Sequence, residues 1–114
     1  MPYEACGLLS GKRGLAKSIW KMENIHRSPY SYAMNINEIQ RVFTQIELKH
    51  EQLMGIYHSH PTDRAYPSPE DVLYNNYPNV VHIIVSLAFK KPVVRAFRFE
   101  KTKIIPYQIC VTDD

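Results

Sequence analysis

A chain of 114 residues with 45% hydrophobic content is long enough to bury one core and too short to divide into two, so a single domain over residues 1–114 is expected. The net charge of +3 is mild and its basic residues are scattered, which argues against nucleic acid as a partner. No apolar run approaches the roughly 20 residues that span a bilayer, and no basic segment leads into a signal-type apolar core, so a cytoplasmic protein without membrane contact is expected.

Ala5 to Lys12 and Leu15 to Ile25 flank the turn Lys12-Arg-Gly14 and read as a β-hairpin. From Asn35 onward, Ile36, Ile39, Val42, Phe43 and Ile46 recur at steps of three and four, which predicts an amphipathic helix to about Leu48. Asn35 is its expected N-cap, with Glu38 completing a capping box. Leu53 to Ser59 reads as a strand, Ser68 to about Tyr74 as a short helix, and Val80 to Leu87 as a strand apolar on both faces, hence central. Val93 to Glu100 and Lys103 to Val111 make two more strands. The order predicts an α+β fold, a mixed β-sheet with flanking helices. Cys6 and Cys110 fit neither a disulfide scaffold nor a zinc knuckle and are both expected reduced and mostly buried.

The chemistry concentrates in Gly55-Ile-Tyr-His-Ser-His-Pro-Thr-Asp-Arg-Ala-Tyr-Pro-Ser-Pro-Glu-Asp71. Residues two apart on a strand share a face, so His58 and His60 can converge on one ion, and the proline-rich stretch that follows can loop Asp71 back to the same point. Two nitrogens and one oxygen leave a coordination position for water, which is how catalytic zinc is held. Ser68-Pro69-Glu70-Asp71 also reads as an ordinary helix start, with Ser at N-cap and an acid at N3. If Asp71 spends its carboxylate on zinc it cannot also close a capping box, so the two readings predict different geometries. His82, inside an apolar strand, reads as a core histidine or a support for the ligands. Ser59 points away from its histidine neighbours. Cys6 shares the strand face of Glu4, near the metal or simply buried. Lys90, Lys91, Arg95, Arg98, Lys101 and Lys103 form a solvated face or a docking surface for an acidic partner.

The spacing of His58, His60, Ser68 and Asp71, H-x-H-x7-S-x-x-D, resembles the JAMM (MPN+) zinc metalloproteases, and Pro2-Tyr-Glu-Ala-Cys-Gly-Leu-Leu-Ser-Gly11 is similar to the first block of their small prokaryotic members. The resemblance implies a cytidine-deaminase-like JAMM/MPN fold. It further implies that His58, His60 and Asp71 bind Zn2+, that Glu4 acts as general acid and base, and that Ser68 steadies the tetrahedral intermediate. By the same resemblance, the substrate is a ubiquitin-like or sulfur-carrier protein cut after its C-terminal Gly-Gly tail. Such relatives carry a strand and a helix ahead of the Pro-x-Glu block, whereas Met1 stands three residues before Glu4. The expectation is a fold lacking that first strand and helix, with Glu4 prone to fraying and apolar sheet surface open to self-association as a homo-oligomer or to a partner. Two rival readings follow from the same residues: an inactive MPN-type scaffold or binding module, and a non-haem iron oxygenase, whose two-histidine, one-carboxylate site is alike.

Overall fold

A computed structural model describes residues 3–68, 71, 80–101 and 103–110. Its strands are β1 (Cys6–Lys12), β2 (Leu15–Met22), β3 (Gln52–His60), β4 (Val81–Ser86), β5 (Val93–Glu100) and β6 (Lys103–Tyr107), with helix α1 (Ile36–Leu48) between β2 and β3. They form one six-stranded sheet in the order β2-β1-β3-β4-β5-β6. Only the central β3–β4 pair is parallel among the described strands; all other pairs are antiparallel, which makes the sheet mixed as the sequence predicts.

Local chemistry explains most boundaries. The β1–β2 hairpin closes at Lys12↔Leu15 through Arg13 and Gly14, with φ of 53° and 78°. Positive φ at both central residues is the type I′ turn that matches strand twist. Asn35 caps α1 by accepting from the N–H groups of Asn37 and Glu38 at 2.9 and 3.2 Å. The helix ends in a Schellman motif: His50 takes φ 56°, its N–H reaches the Glu47 carbonyl at 2.9 Å, and the Glu51 N–H reaches that of Ile46 at 3.0 Å.

Two expected boundaries shift. β2 stops at Met22 rather than Ile25, because the Asn24 side chain takes over the backbone beyond it, accepting from the N–H groups of His26 and Ala33. β6 ends at Tyr107 rather than Val111, and Cys110 beyond it is exposed, a correction to the expectation that both thiols are buried; Cys6 is buried and both are free. The expected helix from Ser68 to about Tyr74 falls mostly on 69, 70 and 72–74, outside the described residues.

α1 packs Val42 and Ile46 against Leu8, Met22 and Ile56 on one sheet face, and Ile84, Phe97 and Phe99 continue that face toward β5. His82 lies buried on it with its ring 4.6 Å from Phe99, so it is a core histidine. All six members of the basic series are exposed. No helix among the described residues is long and apolar enough to cross a membrane.

Candidate metal centre

β3 and β4 run side by side and end together, His60 opposite Ser86. The carboxyl end of parallel strands is where open sheets place their ligands. His58 and His60 leave β3 on the core face, 1% and 4% exposed. Their Nε2 atoms are 3.2 Å apart, and Asp71 Oδ2 lies 3.2 Å from the first and 3.4 Å from the second. A tetrahedral zinc with bonds of about 2.0–2.1 Å holds neighbouring ligand atoms about 3.3–3.4 Å apart. The triangle therefore has the edges of one tetrahedral face.

The tautomer of His60 strengthens the fit. Its Nδ1 is 2.8 Å from the Arg64 carbonyl, which can only accept, so Nδ1 carries the proton and Nε2 presents a lone pair. That lone pair faces a carboxylate oxygen, a contact that is repulsive unless a proton or a cation stands between. A ring nitrogen anchored to a backbone carbonyl is also how metal-binding histidines are commonly oriented. His58 is held differently: Tyr32 stacks on its ring at 4.6 Å and 24°, while its buried Nδ1 meets no hydrogen-bond partner among the described residues.

Electrostatics agree with a shared charge. Burial alone would raise the Asp71 carboxyl, but hydrogen bonds from His58 and His60, the charge of His58 and the Ser68 N–H hold it far below the usual carboxylate range. Burial would lower His60, yet the Asp71 hydrogen bond, the Arg64 carbonyl and the charges of Asp71 and Glu4 raise it above an ordinary histidine.

Asp71 also pairs reciprocally with Ser68, as a capping box does. Its Oδ2 accepts from the Ser68 N–H at 2.8 Å, and its own N–H donates to Ser68 Oγ at 3.1 Å. The expectation that the capping box and the metal-facing arrangement exclude each other is thus corrected: one carboxylate oxygen has lone pairs enough to serve both.

Glu4 is 3% exposed, and a carboxylate oxygen of it lies within 4.8 Å of the ligand nitrogens of both histidines. Two carboxylates, Glu4 and Asp71, thus face the same pair of imidazoles, Asp71 with edges of 3.2 and 3.4 Å and Glu4 within 4.8 Å. The main chain of Glu4, expected to fray, is tied by hydrogen bonds in the structure. Its N–H donates to the Ser28 carbonyl at 2.8 Å and its carbonyl accepts from Asn24 Nδ2 at 3.0 Å. Ser59 holds the next residue, its Oγ accepting from the Ala5 N–H at 2.8 Å and its N–H donating to the Ala5 carbonyl at 2.9 Å. Cys6 pairs in register with His58, and its thiol points to the Met22 carbonyl at 3.7 Å.

A cleft of about 310 Å³ opens beside these groups, lined by Glu4, Pro29, Tyr30, His60, Thr62, Asp63 and Ser68. The five predicted residues thus meet around one point. Asn24, Tyr32, Ser59 and the Arg64 carbonyl support them and were not singled out for it beforehand: Asn24 lay inside the expected strand Leu15 to Ile25, and Ser59 read only as pointing away from the histidines.

The family model for prokaryotic homologs of the JAB domain matches residues 1–100. Among similar proteins, the CysO-cysteine peptidase of Mycobacterium tuberculosis is 37% identical over 87 residues, covering 75% of this chain and 60% of that protein. The desampylase of Pyrococcus furiosus is 28% identical over 109 residues, covering 95% of this chain and 76% of that one. The solution structure of protein DSY2949 from Desulfitobacterium hafniense superposes with a TM-score of 0.90 at 29% identity, covering 100% of this chain and 82% of that one. The chain thus spans under two thirds of the length of the mycobacterial relative it matches.

Proposed function

The chain belongs to the family of prokaryotic JAB-domain homologs, and from that premise we propose that it is a zinc-dependent peptidase or isopeptidase. Its substrate is a ubiquitin-like or sulfur-carrier protein, cut at the bond that follows a C-terminal Gly-Gly tail. The observation that carries this reading is the triangle of His58, His60 and Asp71, with edges of 3.2, 3.2 and 3.4 Å, beside a cleft walled by Glu4 and Ser68.

His58 and His60 through Nε2 and Asp71 through Oδ2 would hold the ion. When bound there, Zn2+ supplies Lewis acidity that polarises a carbonyl and acidifies water. Glu4, buried on the cleft wall, accepts the proton of the attacking water and returns it to the departing amine, a role worth about 10²- to 10⁴-fold. Ser68 Oγ accepts the Asp71 N–H and keeps its own proton for donation. Aimed at the oxygen that gains charge as the scissile carbon turns tetrahedral, such a donor contributes on the order of 10²- to 10³-fold. An extended tail without side chains can add to a sheet edge and enter a narrow cleft. That similar proteins are a CysO-cysteine peptidase and a desampylase supports this substrate class.

The test is cleavage of a fusion in which a β-grasp carrier ending in Gly-Gly is joined to a reporter amine. Glu4→Gln should abolish cleavage and keep one zinc per chain, whereas Asp71→Ala should lose both. Full turnover by Glu4→Gln would remove the glutamate from its assigned role.

A further inference from the structure

Glu4 precedes the first β1 ladder pair at Cys6, and its main chain meets a buried amide on the segment after β2 and a carbonyl which that amide also touches. Asn24, 8% exposed, sends Nδ2 toward the carbonyls of Glu4 at 3.0 Å, Ser31 at 3.0 Å and Ser28 at 3.4 Å. Its Oδ1 accepts from the N–H groups of His26 and Ala33, both at 3.1 Å. The Ser28 carbonyl that it touches also receives the Glu4 N–H at 2.8 Å. Both main-chain groups of Glu4 therefore end on one hub, and the same hub shapes the turn carrying Pro29 and Tyr30 into the cleft.

We propose that Asn24 is a positioning residue for Glu4, fixing the glutamate's main chain relative to His58 and His60 and, with the same side chain, shaping the turn that brings Pro29 and Tyr30 to the cleft. The inference rests on the reading of Glu4 as the proton carrier. A base must stand within hydrogen-bond reach of the proton it moves, and a displacement of about 1 Å can cost about 10²-fold. A segment preceding the first ladder pair drifts unless something ties it. Only an amide fits this post. Aspartate has no donor for three carbonyls, and an apolar side chain of the same size would leave buried polar groups without partners.

The experiment compares wild type with Asn24→Asp, both zinc-loaded, using the Gly-Gly fusion as substrate. We expect kcat to fall about 10- to 100-fold, KM to change far less, and zinc to stay at one per chain with nearly unchanged affinity. A kcat within about twofold of wild type in a folded, zinc-bearing variant overturns the proposal, as does loss of zinc together with turnover. Should Asn24→Asp not fold, Asn24→Ser is read by amide hydrogen exchange. Glu4 and Ala5 should exchange at least about tenfold faster while Ile56 to His58 stay protected, and unchanged protection at Glu4 overturns the proposal. Absence of turnover in the wild type would count against the role of Glu4, and the exchange measurement would still decide the role of Asn24.

Discussion

Replacing Asp71 by alanine removes an oxygen that serves three neighbours at once: the Ser68 N–H at 2.8 Å, His58 Nε2 at 3.2 Å and His60 Nε2 at 3.4 Å. Loss of the contact with the Ser68 N–H, the reciprocal half of a capping-box pair, costs about 1 kcal/mol. Loss of a hydrogen bond between a carboxylate and an imidazolium costs about 1.5–3 kcal/mol. Because one oxygen makes both, the two losses do not add fully, and a total of about 2–3 kcal/mol is expected for the metal-free protein near pH 6. A domain of this size unfolds with about 5–15 kcal/mol to spare and loses roughly 4–8 °C of Tm per kcal/mol, so Tm should drop by at least about 8 °C. Urea unfolding in chelator, followed by Trp20 fluorescence, measures it directly. Asp71→Asn retains an acceptor for Ser68 and should recover about 1 kcal/mol of the loss. Zinc then supplies the second arm, since at one hundred times its Kd it should stabilise the wild type by about 2.7 kcal/mol and Asp71→Ala hardly at all. A metal-free Asp71→Ala within about 0.5 kcal/mol of wild type would refute the reasoning, because the carboxylate would then not be engaged as its distances imply.

Three further outcomes follow from the same geometry. His60 is raised, so its contribution to metal-free stability is complete below the ordinary histidine value of about 6.5 and is lost as pH rises through its folded value. Asp71 is depressed, so its contribution is present above about pH 4 and fades only in stronger acid; zinc, which must displace the His60 proton, should bind less tightly as pH falls from 8 to 6, and a competition titration flat over about that range contradicts this. Burial first, then the charges of Glu4 and Glu38, push the Cys6 thiol up to about 11, whereas Cys110 is exposed. Iodoacetamide at about pH 8 should therefore label one thiol per chain, at Cys110, and double labelling of the folded protein would sink the assignment. Gly7 faces Tyr57 on the sheet face away from the site, where an added Cβ would meet the Trp20 carbonyl oxygen at 2.5 Å. Gly7→Ala should cost about 1–3 kcal/mol in urea unfolding without changing zinc affinity, and a neutral substitution would show that the hairpin yields there.

The legible parts of this molecule were those written in local periodicity. The three- and four-residue steps of Ile39, Val42, Phe43 and Ile46 gave α1, the apolar character of residues 80–87 placed β4 inside the sheet, and the two-residue step from His58 to His60 put both rings on one face. What stayed hidden depends on contacts between distant backbone groups, which no spacing encodes. Ser59 looked idle because its side chain leaves the histidine face, yet that is where the Ala5 N–H arrives. Asn24 was counted into the strand Leu15 to Ile25 because its five partners are main-chain atoms brought together only by the fold. Glu4 read as prone to fraying for the same reason: its anchors, Ser28 and Asn24, lie more than 19 residues along the chain. The choice posed at Asp71 failed for a chemical cause rather than a topological one, since a carboxylate oxygen can accept from the chain and face two imidazoles together.

The central claim is that His58, His60 and Asp71 share a single divalent cation. Elemental analysis of the protein as purified, without added metal or chelator, tests it most directly. One equivalent of zinc per chain is predicted, falling to none in Asp71→Ala. A wild-type protein that carries no zinc, and takes up none when dialysed against it, contradicts the account.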